Sequence, residues 1–224
     1  MSRYIIRFAK EGYMKYTSHL DMLRLFQRAF KRCDITMAHS QGFNPHPKMG
    51  FAQPLSLGYT AADEILEFET VEDFLPVDIK NAVSEIMPQG LIIKACSRLT
   101  DNVKSLAAIV DEAEYTVVFP VKANSADYAK ILSDYLTQDS IKAYKRQKKT
   151  KKMVEVDIRS KIRNIQLIEG ENLTLKLVLD CGSTSNLSPE QVISSLMEFA
   201  NLGIERYDVE VERTKISFDR KLHI

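Results

Sequence analysis

The segment Tyr16–Asp21, YTSHLD, contains residue types that could bind an anion or transfer a proton. Ser18, followed three residues later by Asp21, has the spacing of a helix N-terminal cap, so His19 would lie in the first helical turn. Backbone N–H groups are free at that end of a helix and can meet a phosphate. His19 could then donate or accept a proton beside it. The alternative is that Thr17 and Ser18 only cap the helix while His19 hydrogen-bonds a backbone carbonyl.

A second candidate is the stretch of nearly thirty residues between Ile35 and Ile65, which is long for a hairpin loop in a compact domain. At its centre stands SQGFNPHPK, where two prolines fix their own backbone angles and favour extended geometry at the residues before them. The loop would therefore present its side chains with little freedom left to lose on binding. The residues that we assign to binding here are Gly42, Phe43, Asn44, His46 and Lys48. The alternative is a loop packed on its own sheet, with Phe43 and Phe51 as plugs.

We expect His19 and His46 to share one site. In a β-α-β-β-α-β arrangement, the first helix and the loop after the second strand can both reach one end of the sheet. Lys15 or Lys48 could then stabilise negative charge on a bound phosphate. The residues of this site that precede the loop are Lys15, Tyr16, Ser18, His19, Arg24 and Arg28.

The sequence lacks the motifs of several common enzyme classes. It has no GxxxxGK[ST], no GxGxxG after a strand and no HExxH, which argues against nucleotide hydrolysis, dinucleotide redox chemistry and zincin proteolysis. His39 and His46 lie seven residues apart without an evident third ligand, so we predict no metal site. Cys33, Cys96 and Cys181 form no CxxC and are each expected to be a small buried residue. We predict no cofactor.

In the first half of the chain, the elements that must position these residues follow the order β-α-β-β-α-β. Alternating apolar residues predict strands at Arg3–Ala9, Ile35–Ala38, Ile65–Thr70 and Leu91–Cys96. A helix follows Ser18, and Pro76 opens a second helix that ends at Gly90. The apolar side of the first helix comprises Leu20, Leu23, Phe26, Phe30 and Cys33. Its basic residues, expected on the opposite side, are Arg24, Arg28, Lys31 and Arg32.

In the second half, the same order returns after a polar joint near residues 99–111. Extended segments are predicted at Glu114–Phe119, Ile141–Gln147, Met153–Ile158, Leu173–Cys181 and Tyr207–Ile216. Helices are predicted at Ser125–Leu136 and after Ser188, which would cap the helix with Gln191 at the capping-box position. The predicted fold class is α+β, with two tandem ferredoxin-like (βαββαβ) halves that have antiparallel sheets. The predicted domains are residues 1–98 and 112–224.

The composition is that of a globular protein. Of the 224 residues, 45% are hydrophobic and 27% are charged, with only 8 Gly and 7 Pro, so the chain can bury a core and is not expected to be disordered. The first residues include Arg3, Arg7 and Lys10 where a signal peptide needs an apolar stretch, and no window is apolar enough to cross a bilayer. We therefore expect a cytoplasmic protein with no membrane partner.

The net charge of +1 conceals a segregated distribution. Basic residues outnumber acidic ones in residues 1–60, whereas acidic residues dominate residues 61–98. A second basic stretch, residues 140–165, includes the run KAYKRQKKTKK. Within this run we assign Lys145, Arg146, Lys148 and Lys149 to polyanion binding. The alternative is a solvated hairpin without a partner.

Three strings of the first sixty residues, TSHLD, SQGFNPHPK and PLSLG, resemble the radical SAM-linked protein family, a bacterial group of unknown molecular function. VDIR at Val156–Arg159 and the helix start at Ser188–Glu190 resemble the C-terminal part of that family more weakly. Members are typically encoded beside, or fused to, a radical SAM enzyme, so the resemblance implies an accessory role with such an enzyme as partner. This chain has no CxxxCxxC, so the radical SAM cluster would belong to the partner.

Together these observations lead us to expect an accessory substrate-recognition or scaffold protein for a radical SAM enzyme. The basic regions favour RNA as the substrate class. One alternative is a metal-independent endoribonuclease of the tandem ferredoxin-like type that uses His19 as general acid or base. Another is a protein–protein scaffold that binds no nucleic acid. The substrate and the oligomeric state are left open by the sequence.

Overall fold

The computed structural model describes residues 1–100, 102–103, 105–147 and 150–219. These residues form a mixed α+β protein with four α-helices and mostly antiparallel strands. They divide into two compact units: unit 1 comprises residues 1–111 and the described chain from Arg213 onward, and unit 2 comprises residues 112–212. Unit 1 therefore takes in the last strand, which the sequence-based division assigned to the second domain. No described helix is long and apolar enough to cross a membrane.

Unit 1 has the element order that the sequence predicts. Its strands are β1 (Ser2–Lys10), β2 (Met49–Phe51), β3 (Thr60–Thr70) and β4 (Leu91–Arg98). Its helices are α1 (His19–Arg32) and α2 (Pro76–Ile86). The strands lie in the order β4-β1-β3-β2, with antiparallel pairing throughout. The inner residues of β1, β3 and β4 and the apolar sides of both helices form one hydrophobic core.

The second strand is the one element of this unit that was predicted at the wrong place. Residues Ile35–Ala38 form only an isolated bridge, between Met37 and Thr70 at the end of β3. The adjacent edge of β3, centred on Glu67, is instead paired by Met49–Phe51. The proline-containing loop therefore precedes β2 and leads directly into it.

Helix α1 packs with the predicted apolar side inward except at its first turn: Phe26 and Phe30 are in the core, and Leu23 and Cys33 pack against it. The buried residues of the helix are Met22, Phe26, Ala29 and Phe30. Leu20, predicted to be buried, is 61% exposed. Two residues correspond to about 200° around a helix, so a helix that buries Met22 turns Leu20 toward solvent. Arg24 and Arg28 are exposed, as the sequence predicts.

Unit 2 contains one strand that the sequence reading missed. Its elements are β5 (Val110–Lys122), α3 (Tyr128–Leu136), β6 (Lys142–Arg146), β7 (Met153–Asp157), β8 (Ile162–Ile168), β9 (Asn172–Asp180) and α4 (Pro189–Phe199). β5, β9 and β8 pair in that order, antiparallel, while β6 and β7 form a separate two-stranded hairpin. β8 was missed because a register shift between Ile162 and Asn164 places its buried Ile162 and Ile165 three residues apart, which breaks the alternation of a regular strand. β10 (Glu210–Phe218) starts in unit 2 and from Arg213 belongs to unit 1, where it pairs with β3.

Candidate functional site

A small recess in unit 1 brings together the start of α1, the end of β1, residues of β2 and β3, and the loop between those two strands. Its cavity volume is about 20 Å³, and the free space including its open mouth is about 290 Å³. The inner part is therefore large enough for one water-sized group. Its lining residues are Phe8, Lys10, His19, Met22, Phe51, Leu55 and Glu64. Four of these side chains are apolar, so the three polar ones act in a largely apolar setting.

Residues from three of the sequence motifs meet at this recess. His19 belongs to TSHLD, Phe51 follows the proline-containing loop, and Leu55 belongs to PLSLG. The rings of His19 and Phe51 are in edge contact with their centroids 5.3 Å apart. The Gly58 N–H donates to the Lys15 carbonyl oxygen at 2.8 Å, which ties the PLSLG loop to the segment before α1. Segments that are distant in sequence therefore come together at one recess in the fold.

Lys10 is the buried cation of the recess. Only 3% of the residue is exposed, and its Nζ donates to the Thr17 carbonyl oxygen at 3.1 Å. Burial lowers the pKa of Lys10; the Glu64 carboxylate opposes that shift and the Arg213 guanidinium adds to it. A buried ammonium with a lowered pKa in a recess is a frequent mark of a functional position.

Glu64 and Arg213 form a buried ion pair at the base of the recess. Arg213 donates from Nε to Glu64 Oε1 at 2.7 Å and from Nη2 to Oε2 at 2.5 Å. The same guanidinium donates to the carbonyl oxygens of Gln53 at 2.7 Å and Pro54 at 3.2 Å. One side chain of the last strand thus holds both the carboxylate and the start of the PLSLG loop.

Two tyrosines flank the recess on a 3₁₀ helix, Gly12–Tyr16, which directly precedes Thr17. Tyr13 is 90% exposed and Tyr16 is 63% exposed. Residues three apart on a 3₁₀ helix lie on the same face, so both rings face solvent together. The ammonium group of Lys15 lies 5.4 Å from the centre of the Tyr16 ring. The result is a solvent-facing aromatic surface with a cation beside it.

The start of α1 is capped as predicted. Ser18 Oγ accepts from the Asp21 N–H at 3.2 Å and donates to Asp21 Oδ2 at 2.7 Å. Arg24 lies 3.2 Å from Asp21 Oδ1 in an exposed ion pair. Arg28 is exposed one turn further along the helix. The basic side of α1 is therefore accessible, although part of its charge is balanced locally by Asp21.

The proline-containing loop is exposed at its tip. Gly42 has φ +123, which favours glycine, and Phe43 is fully exposed, so it does not plug the sheet. Asn44 and His46 are also exposed. The loop is closed at its base, where the His46 N–H donates to Ser40 Oγ at 3.0 Å.

Lys48 is engaged in an ion pair at the start of β2. Its Nζ lies 2.8 Å from Glu69 Oε2, and both side chains are partly exposed. Part of its charge is therefore already balanced before any phosphate binds.

The structure does not bring His19 and His46 to one recess. Phe51 is paired with Leu66, and the Glu69 N–H donates to the Lys48 carbonyl at 2.9 Å, so the chain from Phe51 back to Lys48 runs toward the C-terminal end of β3. Glu64, at the recess, lies five residues from Glu69, about 17 Å along an extended strand. His46 lies beyond Lys48 in that direction and is absent from the residues that line the recess. Strand β2, which follows the loop, contributes Phe51 to the recess, whereas His46 of the loop lies away from it.

The basic run of unit 2 forms the hairpin of β6 and β7. Lys145 and Arg146 are exposed near its tip, and the Tyr144 ring on the same strand is also exposed. Arg146 Nε donates to the Lys151 carbonyl at 3.2 Å, which ties the two sides of the tip together. Lys148 and Lys149, predicted to bind polyanions, lie outside the described residues.

Four residues of this region were missed by the sequence reading: Lys10, Tyr13, Glu64 and Arg213. Lys10 ends β1, Tyr13 stands in a short 3₁₀ helix and Glu64 lies within β3, and nothing in the local pattern distinguishes them from surface residues. Arg213 is 149 residues from Glu64 along the chain. The spacing of Tyr13 and Tyr16 was a signal that could have been used, had a 3₁₀ turn been predicted.

The cysteines and acidic residues form no evident metal centre. Among the described residues, there is no group of three or more His, Cys, Asp or Glu side chains that could hold a metal ion. Cys181 is buried as expected, whereas Cys33 and Cys96 are only partly buried. Burial nevertheless raises the pKa of Cys96 to about 12 and also raises that of Cys33, so neither thiol is activated as a nucleophile.

Comparison with known proteins gives a family and distant structural likenesses. Residues 3–189 match a family described as "Uncharacterized protein conserved in bacteria (DUF2344)". No curated protein matches the chain. A chain in the crystal structure of a Cbf5-Nop10-Gar1 complex is similar over 95% of this chain, with 11% sequence identity and a TM-score of 0.49. The match covers 48% of that chain, so this protein spans about half of its length.

Proposed function

This chain belongs to the DUF2344 family of uncharacterized bacterial proteins, and we propose that it is an RNA-binding accessory protein that recognises substrate for a radical SAM enzyme. The enzyme partner is proposed from the resemblance of TSHLD, SQGFNPHPK and PLSLG to the radical SAM-linked proteins. RNA is proposed from the exposed aromatic and basic surface directly before TSHLD. The iron–sulfur cluster and its chemistry would be supplied by the partner.

The observation that carries the RNA proposal is the exposed pair Tyr13 and Tyr16 with Lys15 beside them. Single-stranded nucleic acid is commonly held by aromatic side chains on which bases stack, together with cations that contact the phosphates. A soluble protein gains nothing in folding from two tyrosine rings that face solvent on one side of a short turn. The exposed Arg24 and Arg28 of the neighbouring helix add cations that could follow the RNA backbone.

The β6–β7 hairpin provides a second surface of the same chemistry. Lys145 and Arg146 accompany the exposed Tyr144 ring on one strand of a two-stranded ribbon. An exposed aromatic ring near cations again suits a base and its flanking phosphates. We propose that this hairpin adds affinity without sequence preference.

We also infer that unit 1 is a ferredoxin-like domain. The pairings β4-β1-β3 and β3-β2, with two helices between the strands, are those of that fold, and β10 pairs with β3 in addition. Such folds carry many unrelated functions, so the RNA proposal rests on the tyrosines and cations and not on the fold.

The proposal is tested by fluorescence anisotropy with a labelled single-stranded RNA over a salt series. The logarithm of the binding constant should fall linearly with the logarithm of the salt concentration, because phosphate contacts release counterions. Tyr13→Ala combined with Tyr16→Ala should weaken binding by roughly 5- to 150-fold, which corresponds to about 1–3 kcal/mol for one stacked base. Lys145→Ala with Arg146→Ala should reduce the salt slope.

The matched control is Tyr207→Ala, which removes an equally exposed tyrosine ring from unit 2. If this control weakens binding as much as the double tyrosine variant does, the surface before α1 has no special role. If no RNA binds at low salt, the RNA proposal fails, and co-purification of a radical SAM enzyme that is insensitive to ribonuclease would favour a protein scaffold.

The endoribonuclease alternative has one observation in its favour, which is that His19 lines a recess together with the buried Lys10. A histidine could transfer a proton there while the ammonium group stabilises charge on a phosphorane. Incubation of the protein with total RNA in EDTA tests this. Cleavage that disappears in His19→Ala supports the alternative, and intact RNA with the wild-type protein overturns it.

A further inference from the structure

We infer that the recess beside Lys10 binds a terminal phosphate group, carried by an RNA end or by a mononucleotide. The inference rests on the proposed function and specifies which part of the RNA this site takes. It is drawn from the charge balance, the size and the surroundings of the recess.

The charge balance at the recess leaves one cation without an equal partner. Lys10, Glu64 and Arg213 are all buried, and both oxygens of the carboxylate accept from the guanidinium. An ammonium group has three donors, and among the described residues that of Lys10 donates one hydrogen bond, to the Thr17 carbonyl. A buried charge is costly unless it is paired. An anion in the recess would supply the missing pair.

The size of the recess decides which anion can reach Lys10. The inner space of about 20 Å³ is too small for a base or a sugar. It admits a single oxygen, while the mouth can hold the rest of a phosphate. A phosphate within an RNA chain is flanked on both sides by sugars, whereas a terminal phosphate projects its free oxygens. The geometry therefore favours a chain end.

The walls of the recess would strengthen such a contact. Phe8, Met22 and Phe51 exclude water from one side, so the attraction between the ammonium group and the phosphate is less screened than in bulk solvent. His19 lines the same space and has ring N–H donor capacity for a second phosphate oxygen. Tyr16 directly precedes Thr17, the hydrogen-bond partner of Lys10, so the base of the terminal nucleotide could stack on its ring.

The test uses one RNA sequence with an internal fluorophore, prepared with a 5′-phosphate, with a 3′-phosphate or with hydroxyl groups at both ends. We expect one phosphorylated form to bind at least about tenfold more tightly than the hydroxyl form, the effect of one charge-assisted hydrogen-bonded contact. Lys10→Met should abolish this preference, so that the phosphorylated and hydroxyl forms bind the variant with equal affinity. Met has similar volume and removes a buried charge, so the fold should tolerate it.

Two further variants test whether the phosphate preference comes from the recess or from the general positive charge of the protein. Leu55→Trp should block the recess and abolish the preference without changing its charges. Lys130→Met, which removes an exposed lysine of α3 in unit 2, should retain the preference. If Lys10→Met or Leu55→Trp keeps the full preference, the recess is not the phosphate site.

Thermal unfolding distinguishes the source of the phosphate. Inorganic phosphate and a nucleoside 5′-monophosphate should raise the Tm of the wild-type protein and not that of Lys10→Met, whereas a nucleoside at equal ionic strength should have no effect. A Tm rise of the same size with acetate overturns the assignment to phosphate.

The two proposals fail in different ways. Salt-dependent RNA binding without any end preference overturns this inference and leaves the proposed function in place. A Tm rise with the monophosphate but no binding of any RNA form overturns the proposed function and supports a mononucleotide as the ligand.

Discussion

Arg213 illustrates how much a single residue can do in this protein. It lies on the last described strand, yet it pairs with Glu64 and holds the carbonyl oxygens of Gln53 and Pro54. These contacts fix the PLSLG loop against the recess. The residue is only 1% exposed, so its guanidinium is stabilised by these protein groups and not by water.

Replacing Arg213 by Ala should therefore destabilise the protein strongly. The change leaves the Glu64 carboxylate buried without its main partner, which costs about 3–5 kcal/mol of unfolding free energy. Urea unfolding measures the effect. Arg163→Ala is the control, because Arg163 also pairs with carboxylates, Glu112 and Asp180, but is partly exposed. Its removal should cost at most about 1 kcal/mol, and equal losses in both variants would contradict the role of burial.

Asp157, in the VDIR segment, should give unit 2 a pH-dependent contribution to stability. Its Oδ1 accepts from the N–H groups of Arg159 at 2.9 Å and Ile141 at 3.0 Å, and these bonds hold the pKa of the carboxyl below its usual value. The contribution is therefore present above the unfolded-state pKa of about 3.9 and is lost as the pH falls through the folded value. Wild type and Asp157→Asn should differ in unfolding free energy at pH 7 and converge in acid. A difference that is constant with pH would contradict this.

At the scale of elements, the two helices that begin after a serine differ in how their first turn is stabilised. Ser18 makes the side-chain cap that the sequence predicts for α1. Ser188 occupies the same position before α4 but makes no side-chain cap hydrogen bond, so its predicted capping role is wrong. Pro189 follows it and already supplies a backbone angle suited to the first helical turn.

The two serines allow a matched test of capping. Ser18→Ala should lower the unfolding free energy by about 1 kcal/mol, because the Asp21 N–H loses its acceptor. Ser188→Ala should change it by less than about 0.5 kcal/mol, since no cap bond is lost. Thermal or urea unfolding of both variants measures the difference. Similar losses would mean that the hydrogen bond at Ser18 adds nothing.

The turn from α2 into β4 requires glycine for two separate reasons. Gly90 has φ +86, and a Cβ there would lie 2.6 Å from the Glu11 carbonyl oxygen. Gly58 also has φ +86, but a Cβ there would have no other atom within 4 Å. A substitution at Gly58 therefore measures the backbone strain alone, without the clash. Gly58→Ala should cost about 1–2 kcal/mol from the strained angle alone. Gly90→Ala should cost clearly more in urea unfolding, and equal losses would show that Glu11 moves aside freely.

At the scale of the whole molecule, the first unit is built from two separate stretches of chain. Residues 1–111 are completed by the strand segment from Arg213, after the chain has passed through residues 112–212. β10 pairs with β3 in this unit. The first unit therefore includes residues of β10, although its other strands all come from the N-terminal half of the chain.

A chain that ends at Glu212 should therefore fail to form a stable first unit. It retains residues 1–111 but loses Arg213, which leaves Glu64 buried without its partner. Amide hydrogen exchange in β1 and β3 should be fast compared with that of a control chain ending at Asp219, which keeps Arg213 and β10. Equal protection in both chains would support an independent domain of residues 1–98.

Local patterns in the sequence determined the types of most elements, because burial of one face imposes a spacing that does not depend on distant residues. The helix after Ser18, the alternation in β1 and β3 and the basic hairpin could all be predicted in this way. The sequence also identified His19 as a candidate site residue, which lines the recess, whereas it gave no role to Leu55 of the PLSLG segment. The exposure of Leu20 in α1 and the bulged strand β8 could not be predicted, since both depend on which neighbours pack against them.

The recess itself was decided by the tertiary structure alone. Lys10 becomes a buried ammonium only because Glu64, Thr17 and Arg213 surround it, and Arg213 comes from a strand 149 residues after Glu64. The separation of His19 from His46 has the same origin, because the register of β2 against β3 carries the proline-containing loop away from the recess. Charge burial and strand register are properties of long-range contacts, which no local spacing in the sequence encodes.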